Sequence, residues 1–109
     1  MQQDIYEELK RVAQSKSVTD YSAVGGMMGL DMDNPADRNK IAEILDEINH
    51  YEHQYQRPML SAVVIRKGIN MPGEGFFKCA RLLNKHRENN DLVFWVHELT
   101  KVHDYWRAH

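Results

Sequence analysis

The chain has 109 residues, 42% hydrophobic and 28% charged, so it is long enough for one hydrophobic core but not for two. The lone Cys79 excludes an internal disulfide, and no long apolar run or signal-like N-terminus is present, so we expect a cytoplasmic protein with no membrane partner. The formal net charge of -2 hides a basic block, because residues 57–87 carry seven Lys or Arg against one acidic residue, whereas residues 1–56 carry five against eleven. Such a block either attracts a polyanion or forms a solvated face paired with the acidic half.

Two helices are predicted in the first thirty residues. Ile5 and Leu9 belong to an apolar pattern with helical spacing, which predicts an amphipathic helix over about the first fifteen residues. Asp20 is a capping type of residue before a short helix predicted from Tyr21 to Met28, which Gly29 ends by adopting a left-handed conformation. This short helix opens a predicted helix-turn-helix.

The third helix has the clearest start signal in the sequence. Asn34 is a favoured cap, Pro35 suits the first turn, and Asp37 places a negative charge near the positive end of the helix dipole. We predict that the helix runs to about Tyr55. Most of it is too acidic to approach phosphates, so only its start can contact DNA bases. The candidate residues there are Arg38, Asn39 and Lys40.

A strand and a glycine-rich turn follow. The apolar run from Leu60 to Ile65 predicts a strand over residues 59–66, and the glycines after it predict a wing near residues 70–76. A short helix from Phe76 to Leu83 and a last helix capped by Asp91 complete the chain. This order predicts one domain over residues 1–109 of the α+β class, mostly helical: a winged helix-turn-helix with a small β-hairpin or wing and a C-terminal helix.

Three stretches of the sequence resemble known proteins. They are TDYSAVGGMMGL, DRNKIAEILDEIN, and RPMLSAVVIRKGINMPGEGFF with KCARLL behind it. Together they cover about residues 18–83 and resemble a small uncharacterised bacterial winged-helix family and, more distantly, the DNA-binding domain of methylated-DNA cysteine alkyltransferases and alkyltransferase-like proteins. The resemblance implies a winged helix that binds DNA. Its matching positions are Tyr21, Arg38, Pro58, Gly68, Gly75, Leu82 and Leu83.

The chain departs from the alkyltransferases at the position of their reactive cysteine. Met59 stands there, followed by Leu60 and Ser61 where those proteins have His and Arg. Without a thiolate the chain cannot accept an alkyl group. We expect Cys79, beyond the wing, to be a buried structural thiol.

Other catalytic candidates are incomplete. His50, Glu52 and His53 could hold a metal in a small metal-dependent hydrolase, but no third histidine or cysteine ligand completes the set. The turn ahead of Phe76 offers backbone amides to a phosphate, yet it lacks the spacing of a nucleotide-binding loop. We therefore predict no catalytic residue, no metal ligand and no cofactor.

The sequence thus favours a non-enzymatic DNA-binding or DNA-associated accessory or regulatory protein whose partner is double-stranded DNA. The predicted contacts are Arg38, Asn39, Lys40, Arg66, Lys67, Lys78 and Arg81. The alternative is a protein-interaction module in a bacterial defence or mobile-element system. In that hypothesis an apolar stripe of the last helix closes a homodimer or meets a partner protein. The stripe consists of Trp95, Leu99, Val102 and Trp106.

Overall fold

Five α-helices and one two-stranded sheet form the regular structure of the computed structural model, which describes residues 1–109. Helices hold most of the chain, so the prediction of a mostly helical α+β protein is confirmed. The finer prediction of a winged helix-turn-helix stays a prediction. In chain order the elements are α1 (Gln3–Gln14), β1 (Thr19–Asp20), α2 (Tyr21–Gly26), α3 (Pro35–Gln54), β2 (Val64–Ile65), α4 (Glu74–Leu82) and α5 (Asp91–Arg107), with a 3-10 turn at Leu60–Val63 between α3 and β2.

The starts of α2 and α3 lie where the capping residues predict them. The Asp20 carboxylate accepts a hydrogen bond from the backbone N–H of Ala23 at 2.8 Å, and Asn34 Oδ1 accepts one from that of Ala36 at 2.8 Å. Each bond satisfies an N–H group that a helix start leaves without an intrahelical partner. Gly29 has a φ of 67°, the left-handed conformation that the sequence predicts for it, but α2 ends at Gly26 rather than at the predicted Met28.

The cap of α5 lies one residue earlier than predicted. Asn90 Oδ1 accepts a hydrogen bond from the backbone N–H of Val93 at 3.0 Å, so Asn90 is the cap and Asp91 is the first helical residue. The prediction that Asp91 caps α5 is therefore wrong. Both residues are favoured cap types, but the Asp91 carboxylate is engaged by Arg81 at 2.9 Å and by His86 at 2.7 Å.

The apolar stripe of α5 lies inside the molecule. Val102 is fully buried and Trp106 is 6% exposed, while Trp95 and Leu99 are partly buried and pack against the same core. The stripe is used within one chain because α5 packs against α1 and the 3-10 turn. The prediction that this stripe closes a homodimer is therefore wrong.

Strands β1 and β2 pair in parallel, with Asp20 opposite Ile65. The prediction of a strand over residues 59–66 in a β-hairpin is therefore wrong: Leu60–Val63 is a 3-10 turn, and β2 pairs with the segment before α2. A short apolar run is typical both of a buried strand and of a buried turn, and periodicity cannot separate the two.

The apolar run occupies the centre of the molecule. We call Met59–Val64 the central segment: every residue in it is buried, and its 3-10 turn contacts α1, α3 and α5. All five helices contribute to the single hydrophobic cluster around it. None of these helices is both long enough and apolar enough to cross a membrane.

Side chains from α3 and α5 satisfy the backbone of the central segment. The Met59 N–H donates to Glu98 Oε2 at 2.8 Å, and the Ser61 N–H donates to Asn49 Oδ1 at 3.2 Å. Asn49 Nδ2 donates in return to Ser61 Oγ at 2.7 Å. Trp95 Nε1 donates to the backbone carbonyl of Ala62 at 2.9 Å. Buried backbone groups outside a sheet need such partners, which explains the polar side chains in the core.

Candidate nucleic-acid interface

The residues predicted to contact DNA are all exposed, and the structure gathers five of the seven around two adjoining cavities. Arg66 lines both cavities and joins them. Asn39 and Lys40 line neither cavity and lie exposed on α3. We call the five gathered residues the basic surface: Arg38, Arg66, Lys67, Lys78 and Arg81.

The two cavities differ in size. The first has a volume of about 570 Å³, and Arg38, Arg66 and Lys67 line it together with buried apolar residues of α3 and α4. The second has a volume of about 200 Å³, and Lys78 and Arg81 line it with Arg66. Glu74 lines both cavities as well and Asp91 lines the second, so carboxylates stand among the cations.

Parallel pairing of the two strands positions the first cavity. Asp20 lies opposite Ile65 in the sheet, so Tyr21 and Arg66, the next residue of each strand, leave the sheet at the same edge. Tyr21 begins α2 and Arg66 begins the turn that leads to α4. The first cavity thus lies where the starts of α2, α3 and α4 meet the end of β2.

A hydrogen bond ties the turn before α4 to α2. The backbone N–H of Gly73 donates to the Tyr21 hydroxyl oxygen at 2.9 Å. Burial raises the pKa of Tyr21, against the opposing effects of the Gly73 N–H and the Arg66 guanidinium. The phenol therefore stays protonated at neutral pH, and since its oxygen already accepts from Gly73, its own proton remains free to donate in the cavity.

Carboxylates also line the first cavity, most of them at helix starts. Asp20 caps α2, Asp33 precedes the cap of α3, and Glu74 is the first residue of α4. Negative charge is favoured at these positions because it faces the positive end of a helix dipole. The remaining carboxyl is that of Asp46, whose pKa is raised by burial. Asp20 and Glu74 therefore stabilise helix starts, whereas Asp33 and Asp46 add carboxyl groups to the cavity lining.

Two members of the basic surface are engaged in exposed ion pairs. Lys67 Nζ lies 4.0 Å from Asp20 Oδ2, and Arg81 Nη2 lies 2.9 Å from Asp91 Oδ1. Exposed pairs of this kind contribute little free energy, so a phosphate can replace the carboxylate at small cost. Arg66 and Lys78 have no carboxylate within salt-bridge distance. Both residues are exposed.

Two other cations of the basic block are partly buried and pair with buried acids. The Arg57 guanidinium pairs with the buried Glu52 carboxylate and lies 4.7 Å from the ring centroid of Tyr55. Lys85 Nζ lies 3.1 Å from the buried Glu98 carboxylate. These two cations neutralise buried acids, so they do not add to the basic surface.

The residues of the metal-hydrolase hypothesis do not share one solvent-facing surface. Glu52 is fully buried, whereas His50 and His53 are exposed. His50 Nδ1 lies 2.8 Å from the backbone carbonyl of Asp46, within its own helix. No group of three or more His, Cys, Asp or Glu side chains is placed to hold a metal ion.

Cys79 lies in the hydrophobic core. It is 2% exposed, which confirms the prediction of a buried thiol. Burial, together with the neighbouring Asp46, raises its pKa to about 11. A thiol in this environment is protonated at neutral pH and is a poor nucleophile.

The contact between Tyr21 and Gly73 could not be predicted from the sequence. The two residues are 52 positions apart, and no local pattern pairs them. The local signals at its two ends are a helix-capping residue before Tyr21 and a turn-forming Pro-Gly pair that ends at Gly73. Neither signal indicates that the two ends meet.

Comparison of the chain with protein-family models, with curated proteins and with solved structures finds no match. The resemblance to winged-helix DNA-binding proteins therefore stays a prediction.

Proposed function

We propose that this chain is a non-enzymatic, cytoplasmic DNA-binding or DNA-associated accessory protein of the winged helix-turn-helix type, which holds double-stranded DNA against the basic surface. The observation that carries the proposal is the convergence of five predicted DNA-contacting residues around two cavities that share Arg66. They come from α3, from the end of β2 and from α4, which are far apart in sequence.

Electrostatics favours phosphate as the group that meets this surface. Arg66 and Lys78 make no salt bridge, and Lys67 and Arg81 lie in surface ion pairs, which contribute little free energy. Neutralising phosphates releases the counterions condensed on DNA, which is the main source of sequence-independent affinity. Arginine adds the bidentate geometry that phosphate and guanine edges accept.

The orientation of α3 decides which of its residues can take part. Its buried face carries Ile41, Leu45 and Ile48, and the exposed Glu43 and Glu47 lie further along the helix than Arg38. The first turn of α3 carries fewer acidic side chains than the rest of the helix, but it includes Asp37, whose carboxylate accepts from the Asp31 N–H. The connection from α2 to α3 spans residues 27–34, longer than the three to four residues of most helix-turn-helix proteins.

The proposal is tested by binding of a labelled random-sequence duplex, titrated from low to physiological salt. We expect the double variant Arg66→Glu, Lys67→Glu to bind at least about tenfold more weakly than the wild type, with a smaller salt dependence, because two phosphate contacts are lost. The matched control is Lys16→Glu, Arg107→Glu, which makes the same change in net charge at exposed residues outside both cavities. Equal affinity of the wild type and the first variant would contradict the proposal.

An exposed apolar face on α5 favours a second candidate function, the protein-interaction module. Leu92 is 50% exposed, Val93 38% and Val96 46%, and they lie on neighbouring turns of one helix. If this face binds a partner protein or a second copy in a bacterial defence or mobile-element system, Val96→Lys abolishes the complex while DNA binding is unchanged. Light scattering and co-purification of the wild type and the variant distinguish the two functions.

A further inference from the structure

The turn between β2 and α4 is closed by its own backbone hydrogen bonds. The Arg66 carbonyl accepts from the N–H groups of Ile69 at 3.3 Å and Asn70 at 2.9 Å, and the Arg66 N–H donates to the Met71 carbonyl at 2.8 Å. Gly68 and Asn70 have φ values of 85° and 59°, conformations that glycine and asparagine adopt more readily than other residues. Residues 66–71 therefore form a constrained turn, which we call the Arg66–Met71 turn.

Ile69 lies on this turn with its side chain in solvent. It is 53% exposed, whereas Met71 packs against the core and Pro72 is buried. An exposed isoleucine leaves apolar surface in contact with water that a binding partner could cover. The turn thus presents the exposed side chain of Ile69, while Met71 and Pro72, which follow it, pack against the protein.

The surroundings of Ile69 are basic. Arg66 and Lys67, which precede it, line the first cavity, and Pro72, which follows it, lines the second. Ile69 itself lines neither cavity. The exposed Ile69 thus follows two exposed cations in the same turn.

We infer that Ile69 is an apolar wedge that enters the minor groove of duplex DNA and inserts at a base step, while Arg66 and Lys67 hold the adjacent phosphates; this inference rests on the proposed function. Architectural DNA-binding proteins kink the duplex by inserting side chains such as isoleucine between base steps. Such a wedge needs an apolar side chain, a constrained backbone and flanking cations, and the Arg66–Met71 turn has all three. The flexible pyrimidine–purine steps are the ones that open most easily.

The test compares the wild type with Ile69→Ala on a duplex of about twenty base pairs that carries a donor and an acceptor fluorophore at its ends and a central TA step. We expect the wild type to bend the duplex, raising energy transfer, and Ile69→Ala to lose the bend and bind roughly tenfold more weakly. The salt dependence of Ile69→Ala should equal that of the wild type because no phosphate contact is removed. Ile69→Leu should keep the bend, and Leu92→Ala, a truncation of another exposed apolar residue, should change neither quantity.

The outcomes separate this inference from the proposed function. Binding that Ile69→Ala leaves unchanged in affinity and bend, but that Arg66→Glu, Lys67→Glu weakens, overturns the wedge and leaves the proposed function standing. Absence of binding by the wild type at low salt overturns both. Loss of the bend in Ile69→Ala alone, with the circular dichroism spectrum and thermal midpoint of the wild type, supports the wedge.

Discussion

Asn49 lies in the core because the central segment requires a partner there. Its side-chain amide both donates to and accepts from Ser61, so one residue satisfies two buried polar groups. The Glu98 carboxylate likewise accepts a hydrogen bond from the buried Met59 N–H. The hydrogen-bond partners of these polar residues could not be predicted from sequence. A helical pattern can place a residue on the buried face, but it does not say which backbone groups that residue meets.

Replacing Asn49 by leucine should lower the free energy of unfolding by about 2 to 4 kcal/mol, because the Ser61 N–H and hydroxyl lose their partners while they stay buried. Urea unfolding measures the change. Asn39→Leu is the control, since Asn39 lies exposed on the same helix, and it should change stability by less than about 0.5 kcal/mol. Equal midpoints for the two variants would show that the buried amide does not stabilise the fold.

Cys79 gives a prediction for alkaline pH. A free thiol has a pKa of 9.0, and burial raises the pKa of Cys79 to about 11 in the folded protein. Between these values the unfolded state loses the proton while the folded state keeps it. The contribution of the protonated thiol to the free energy of unfolding is fully present below pH 9. It is lost as the pH rises from 9 to about 11, which lowers the free energy of unfolding by roughly 2 kcal/mol.

Cys79→Ala removes this titration, so its stability should fall less than that of the wild type over the same pH range. Urea unfolding of both proteins at about pH 8 and about pH 11 measures the difference. Tyrosine ionisation affects both proteins and cancels in the comparison. A decline of the same size in both would rule out the buried thiol as its cause.

Among the elements, the helices could be predicted and the sheet could not. Asp20 and Asn34 set the starts of two helices through local hydrogen bonds, and local signals of this kind can be read from sequence. The central segment was predicted as a strand because its residues favour β-structure. Packing against three helices makes most of it a 3-10 turn instead, a result of tertiary structure that propensity does not contain.

The hydrogen bond from Gly73 to Tyr21 connects two elements that form the first cavity. Tyr21→Phe should lower the free energy of unfolding by about 1 kcal/mol, because the Gly73 N–H loses its acceptor in a partly buried site. Tyr55→Phe is the matched control, since Tyr55 is 58% exposed, and it should leave stability unchanged. Thermal unfolding measures both variants, and equal midpoints would mean that this bond does not stabilise the fold.

For the whole molecule, charge was the most informative signal in the sequence. The basic block contains Arg66, Lys67, Lys78 and Arg81, all on the basic surface, but it also contains Arg57 and Lys85, which neutralise buried acids. The sequence does not show which cations of the block pair with buried acids, because only the fold brings Glu52 and Glu98 next to them. The largest dimension of the molecule is 31 Å, so one protein can cover about nine base pairs at 3.4 Å each.

Mapping the DNA contact by NMR tests the central claim most directly. A ¹⁵N-labelled sample is titrated with an unlabelled duplex of about twelve base pairs at low salt, and the backbone amide shifts are followed. We predict that the largest shifts lie at Arg38, in residues 66–71 and in α4 from Lys78 to Arg81, and that they reverse when salt is added. No shifts at low salt, or shifts confined to the exposed face of α5 around Val96, would contradict the DNA-binding account and favour the protein-interaction module.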